Sequence, residues 1–118
     1  MHEGYTSYVD TDLVTAIQVA SSLDLVLLML DTLHTELICL GGHIVAQRFA
    51  HKAASVSKCI RILNGLLTAL NDDEPTPLMH HLGQLYDYCI YRLNLASLNQ
   101  DTGMVDEVRG LMATLRQG

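Results

Sequence analysis

The sequence predicts an all-α protein, an antiparallel up-down four-helix bundle with an N-terminal arm or short extra helix. Three observations lead to this fold class. Apolar residues recur at alternating spacings of three and four over long stretches, which places them on one face of a helix. The chain has 2 Pro, both in the short segment 75–77, and few of the apolar-polar alternations typical of strands. The connections between the apolar stretches are short, which makes consecutive helices antiparallel neighbours.

A chain of 118 residues fits one domain, and we divide it into an arm, residues 1–20, and a bundle, residues 21–118. The arm is polar, and a helix within it is expected only from about Leu13. Its aromatic residues, Tyr5 and Tyr8, are candidates for a lid over an apolar groove. A frayed tail is the alternative interpretation of the same segment.

The first long helix is expected to begin at Ser21 or Ser22, since a serine hydroxyl caps the free N–H groups of a first turn. A pair of glycines, Gly41 and Gly42, would ordinarily end it. The apolar stripe continues past this pair, however, so we expect the helix to reach about Gln47. The stripe consists of Val26, Leu30, Leu33, Leu37, Leu40 and Ile44.

The second helix, which is expected to run to about Asn71, carries two adjacent apolar stripes. The first is Phe49, Ala53, Val56, Ile60, Leu63, Leu67 and Leu70. The second is Cys59, Ile62, Leu66 and Ala69. Two stripes present more apolar surface than one neighbouring helix covers. Either the bundle surrounds this helix on several sides, or part of its surface binds a partner.

The acidic segment from Asn71 to Pro77 predicts a loop, with Pro77 as the first residue of a third helix that ends near Asn99. The main apolar stripe of that helix is Leu78, Leu82, Leu85, Cys89, Leu93 and Ala96. A neighbouring stripe is Tyr88, Tyr91, Leu95 and Leu98.

The last helix is expected to be capped by Asp101 or Thr102, which follow a short polar break in the chain. Asp106 and Glu107 are expected in its first turn. Its apolar positions are Val105, Val108, Met112 and Leu115.

The residues that could carry metal or catalytic chemistry do not form a known pattern. None of the Glu residues has a His three positions later, which excludes the Glu-x-x-His pairs of a di-iron bundle. Cys39 and His43 share one helix face, but no second pair completes four zinc ligands. The Cys residues occupy apolar positions, where burial hides a thiol and raises its pKa. We therefore expect no enzymatic activity, no metal and no cofactor.

The net charge of -6 and its distribution argue against nucleic acid as a partner, which requires a broad positive face. The basic stretch from Arg48 to Arg61 is short, and we interpret it as a solvated face that complements acidic neighbours.

Charged residues interrupt the most apolar segment, Leu25 to Val45, and exclude a membrane span. The beginning of the chain lacks the pattern of a secretory signal, and an odd number of dispersed Cys residues is typical of reduced thiols. We expect a soluble cytoplasmic protein.

Several short motifs resemble a known family. The third helix contains Leu85-Tyr86-Asp87-Tyr88, followed by Arg92-Leu93 and Ala96, and the chain continues with Asp101 and Glu107-Val108. This block resembles the signature of the FliS family of flagellar secretion chaperones. Upstream, five residues are similar to the start of that family's first long helix: Ser21, Leu25, Val26, Leu28 and Asp31. Tyr8 lies where many members of the family have an N-terminal Tyr. The chain departs from the family at Met29-Leu30, where Leu-Tyr or Leu-Phe is usual, and at Ser97, where Asn is usual.

The resemblance implies a non-enzymatic chaperone. Such a protein binds the disordered C-terminal segment of flagellin in apolar grooves, prevents premature polymerisation and aids delivery to the flagellar export apparatus. The alternative is a helical adaptor for another flagellar or secretion-system protein. The candidate groove residues are the off-stripe positions together with the last helix: Cys59, Ile62, Leu66, Tyr88, Tyr91, Leu95, Leu98, Val105, Val108 and Met112. For each of them, packing inside the bundle is the alternative role.

Overall fold

The structure, a computed structural model, describes the backbone of residues 11–70 and 76–118 and side chains from Ser22 onward. Its described part contains four helices: α1 (Thr11–Val45), α2 (Phe49–Ala69), α3 (Pro77–Asn99) and α4 (Thr102–Gln117). Both α1 and α3 pack against α2 and α4, so each helix is flanked by two neighbours around one core. The predicted all-α four-helix bundle is confirmed.

Contacts between α2 and α3 show how consecutive helices run. The Nζ atom of Lys52, near the start of α2, donates a 2.9 Å hydrogen bond to the carbonyl of Ser97, near the end of α3. At the other end, Leu67 lies beside Gly83. The two helices are therefore antiparallel, as short connections require.

The first helix begins earlier than expected and continues to Val45. Ser21 and Ser22 lie inside it, so the expected N-cap at these serines is wrong. Gly41 and Gly42 are also helical, which confirms that the helix passes through the glycine pair. The candidate lid residues Tyr5 and Tyr8 lie outside the described residues, and the division at residue 20 stays a prediction.

The connections follow ordinary capping chemistry. The Thr76 hydroxyl accepts a 3.2 Å hydrogen bond from the Met79 amide, and Pro77 is the first residue of α3, as predicted. The Asp101 carboxylate accepts hydrogen bonds from the amides of Gly103 and Met104 at 2.8 and 3.3 Å. Asp101 is thus the N-cap of α4, which begins at Thr102 and places Asp106 and Glu107 beyond the first turn.

The α1 contribution to the core agrees with the predicted stripe, because Leu33, Leu37 and Leu40 are fully buried. In α2, the core stripe combines members of both predicted stripes: Val56, Cys59, Leu63 and Leu66. In α3, it includes Tyr86, which the sequence did not place there, and excludes Leu78. A helix between two neighbours buries the positions that point along the bisector of both contacts, and this direction falls between the two stripes of α2.

Candidate functional site

The candidate groove residues divide into a buried set and an accessible set. The buried set is at most 1% exposed: Cys59, Leu66, Val105, Val108 and Met112. These side chains pack in the core and present no surface to a partner. This placement revises the expected groove, because the α4 candidates Val105, Val108 and Met112 pack inside the bundle. The accessible set is Ile62, Tyr88, Tyr91, Leu95 and Leu98.

Burial also decides the chemistry of two thiols. Desolvation raises the pKa of Cys59 to about 12 and the pKa of Cys89 to about 11. A thiol with so high a pKa is almost entirely protonated near neutral pH, and the thiolate is the reactive form. The third thiol, Cys39, is exposed on α1. Cys59 and Cys89 are therefore packing residues with little nucleophilic character.

Ile62 does not share a groove with the accessible residues of α3. Lys58, one turn before Ile62, forms a 3.3 Å ion pair with Glu36 of α1, which places this side of α2 against α1. Tyr88 of α3 contacts α4 instead. Ile62 and Tyr88 thus face different helix pairs and do not line one common groove.

The remaining accessible candidates form one surface, which we call the α3 row: Tyr88, Tyr91, Leu95 and Leu98. Their spacing of three, four and three keeps them on the outer face of the helix. Tyr91 is 60% exposed and Leu98 is 79% exposed, while Leu95 is half-buried. A row of large apolar side chains in water is typical of a protein-binding surface.

A cluster of polar contacts fixes one end of the α3 row to α4. The Tyr88 hydroxyl donates a 2.8 Å hydrogen bond to Oε2 of Glu107, and Arg92 Nε donates a 2.7 Å hydrogen bond to Oε1. The Tyr88 hydrogen bond, followed by that of Arg92, lowers the pKa of Glu107. Both oxygens of one carboxylate are therefore occupied, which orients the Tyr88 ring. Tyr91 and Leu98 are the most exposed members of the row.

A second apolar surface lies between α1 and α4, and the sequence analysis did not identify it. This cleft has a volume of about 430 Å³ and is lined by Leu37, Ile38, Gly41, Gly42, Val45, Thr102, Asp106 and Arg109. Ile38 and Val45 are 52% and 77% exposed. Their seven-residue spacing beside the core stripe of α1 is the signal that could have found this surface.

The basic stretch makes contacts within the bundle. Lys58 pairs with Glu36, Lys52 bonds the Ser97 carbonyl, and Arg48 Nε donates to Nδ1 of His43 at 3.1 Å. These contacts use the positive charge of the stretch to connect the helices of the bundle to one another.

Neither a metal site of three or more ligands nor a membrane-spanning helix is present in the described part of the chain. Among the side chains of residues 22–70 and 76–118, no cluster of three or more His, Cys, Asp or Glu is arranged to hold a metal ion. None of its helices is long and apolar enough to cross a membrane.

Comparison with known proteins places the chain in a family. The family model described as flagellar protein FliS matches residues 4–118, almost the whole sequence. The chain belongs to the FliS family. The match confirms the resemblance inferred from the motif of α3 and from the first long helix.

The chain is similar to FliS proteins of several bacteria. The flagellar secretion chaperone FliS of Salmonella typhimurium is 28% identical over 97% of this chain and 85% of its own length. The Escherichia coli protein of the same name is 30% identical over 96% of this chain and 84% of its own length. The flagellar secretion chaperone FliSB of Pseudomonas aeruginosa is 32% identical over 65% of this chain and 61% of its own length. These FliS relatives are named as chaperones.

Proposed function

We propose that this FliS-family chain is a non-enzymatic export chaperone that acts in the cytoplasm on flagellin. It binds the disordered C-terminal segment of flagellin, prevents premature polymerisation and aids delivery to the flagellar export apparatus. The observation that carries the proposal is the α3 row. A bundle whose core is already filled keeps Tyr91 and Leu98 in water, and such a surface is suited to an amphipathic segment that becomes helical on binding.

The chemistry of the α3 row supports a transient partner rather than a permanent one. Tyr88 and Tyr91 combine an apolar ring with a hydroxyl that can stay hydrated, which suits surfaces that are alternately wet and covered. Binding orders the client, so the affinity is moderate for the area buried, and the burial of apolar surface gives a negative heat-capacity change.

The test is a calorimetric titration of this protein with a C-terminal flagellin peptide from the same source. One-to-one binding with a negative heat-capacity change is expected. Leu98→Asp and Tyr91→Asp place a charge in the contact and should each weaken binding at least about tenfold, a loss of roughly 1.4 kcal/mol. Asn94→Asp is the matched control, because Asn94 is exposed on the same helix and lies outside the row.

Two outcomes count against the proposal. A folded wild-type protein that does not bind the peptide would favour an adaptor for another flagellar or secretion-system protein. Equal affinity of the Leu98→Asp and Asn94→Asp variants would remove the α3 row from the contact, even if flagellin binds.

A further inference from the structure

The turn between α1 and α2 brings two histidine rings together. His43 lies in the last turn of α1, and His51 lies in the first turn of α2. The centres of their rings are 5.4 Å apart, and the ring planes are inclined by 36°. Spacing along one helix could not reveal this contact, because the two residues belong to different helices.

The surroundings of the two rings leave an imidazole nitrogen that can bind a metal ion. Nδ1 of His43 accepts a 3.1 Å hydrogen bond from Nε of Arg48, so this nitrogen carries the electron pair that a metal ion requires of an imidazole. Within the described residues, His51 forms no hydrogen bond or ion pair, and neither ring has a carboxylate partner. The two imidazoles therefore contact each other without a salt bridge to hold them.

The separation of the rings agrees with the geometry of zinc. A Zn–N bond measures about 2.0–2.1 Å, and a tetrahedral angle then places the centres of two coordinating imidazoles roughly 5.2 Å apart. The observed 5.4 Å is close to this value, so rotation of the two side chains is enough and the helices need not move. His51 is exposed and His43 is half-buried, which lets an ion enter from solvent.

We propose that His43 and His51 form a two-imidazole site for a borderline divalent transition-metal ion such as zinc, the class that imidazole ligands favour. The ion replaces Arg48 at Nδ1 of His43 and connects the end of α1 to the start of α2. Two protein ligands leave the other coordination positions to water, as open zinc sites do for one position. The inference does not depend on the proposed function, since neither histidine belongs to the α3 row.

A metal bridge at this place acts on the weakest part of the α1–α2 connection. Gln47 adopts a left-handed conformation with a φ of 56°, which is unfavourable for a residue with a Cβ atom. The first turn of α2 has no side-chain cap. Because the unfolded chain does not hold the two rings together, binding of the ion stabilises the folded state.

Two other sets of ligand-type side chains are less suitable. The rings of His80 and His81 have centres 6.0 Å apart, but consecutive positions of a helix diverge by about 100°, so their nitrogens do not converge. Cys39 is exposed one turn before His43. No group of three ligand-type side chains that includes this thiol is arranged around an ion in the described chain.

The test is a calorimetric titration of the tag-free, metal-stripped protein with Zn²⁺, followed by thermal unfolding. One ion per chain is expected to bind. At a free zinc concentration ten times the dissociation constant, the Tm should rise by about 4 °C, and a chelator should reverse the rise. His51→Asn should weaken zinc binding at least about tenfold. Arg48→Ala removes the competing hydrogen bond and should tighten zinc binding about threefold.

His81→Asn is the matched control, because His81 is also exposed and also contacts a second histidine ring. It should keep the zinc affinity of the wild-type protein. Cys39→Ser should keep it as well, since the proposed site uses no thiol. NMR spectra of the imidazole nitrogens should show zinc-dependent shifts for His43 and His51 and none for His80.

Three outcomes would overturn the site. The first is a wild-type titration that does not saturate at one ion per chain, which would mean adventitious binding only. The second is equal zinc affinity in the wild-type protein and in His51→Asn. The third is loss of zinc binding in Cys39→Ser, which would assign the ion to the thiol instead of the imidazole pair.

Discussion

The Tyr88 hydroxyl donates a 2.8 Å hydrogen bond to Oε2 of Glu107 and thereby connects the first residue of the α3 row to α4. Arg92 holds the other oxygen of the same carboxylate, and its guanidinium carbon lies 6.0 Å from the centre of the Tyr88 ring. One acidic side chain therefore positions an aromatic ring at the border of the proposed client surface.

This arrangement predicts a pH dependence. The pKa of Glu107 is lowered, chiefly by the Tyr88 hydrogen bond. A depressed folded-state pKa gives stability that is fully present above the ordinary value of 4.5 and is lost as the pH falls through the lower folded value. Tyr88→Phe should raise the Glu107 pKa in an NMR titration of the carboxyl group. Tyr91→Phe, its control, should leave it unchanged, and an unchanged pKa in Tyr88→Phe would contradict the contact.

The same substitution should affect stability strongly on the buried face of α3 and hardly at all on its exposed face. Leu93 is fully buried and Leu98 is 79% exposed. Leu93→Ala leaves a cavity and should cost about 2–5 kcal/mol of unfolding free energy, whereas Leu98→Ala should change it by less than about 0.5 kcal/mol. Chemical denaturation with a helical signal measures both. Comparable losses in the two variants would contradict the assignment of Leu98 to the solvent face.

The three thiols should differ in reactivity. Cys39 is exposed, while burial raises the pKa values of Cys59 and Cys89 to about 12 and about 11. A thiol reagent added to the native protein near neutral pH should therefore modify Cys39 quickly and the other two only after unfolding. Mass spectrometry of the labelled protein identifies the sites. Cys39→Ser should abolish the fast reaction, and rapid native labelling of Cys59 would show that the core opens.

A glycine at the junction of α3 and α4 should raise the free energy of unfolding. Gln100 has a φ of 53°, a left-handed conformation that costs a residue with a Cβ atom roughly 1 kcal/mol. Gln100→Gly should raise the unfolding free energy by about that amount. In the interior of α3, Gln84→Gly should lower the unfolding free energy by about 1 kcal/mol. Thermal unfolding measures both signs, and a loss of stability in Gln100→Gly would disprove strain at this residue.

Individual residues show where prediction from the sequence succeeded. The stripe of α1 was found because its spacing matches the helical period and its members are all large and apolar. Pro77 was found, and Asp101 was one of two cap candidates beside Thr102, because a first-turn proline and a side-chain cap act within a few residues of sequence. Tyr86 was missed because its hydroxyl makes it resemble a surface residue, although it is only 4% exposed. Ser21 and Ser22 were misassigned as caps because nothing local forces a helix to begin where a cap is available.

The sequence by itself determined the four helices of the described residues, their order and their antiparallel connection, because periodicity, capping and short connections are local properties. It also carried the motif that identifies the family. Tertiary structure alone decided which apolar stripe of each helix is core and which stays in water. That choice depends on the directions of both neighbouring helices, so Cys59 and Leu66 became core while Tyr91 and Leu98 remained exposed. The α1–α4 cleft likewise exists only because residues far apart in sequence are adjacent in the bundle.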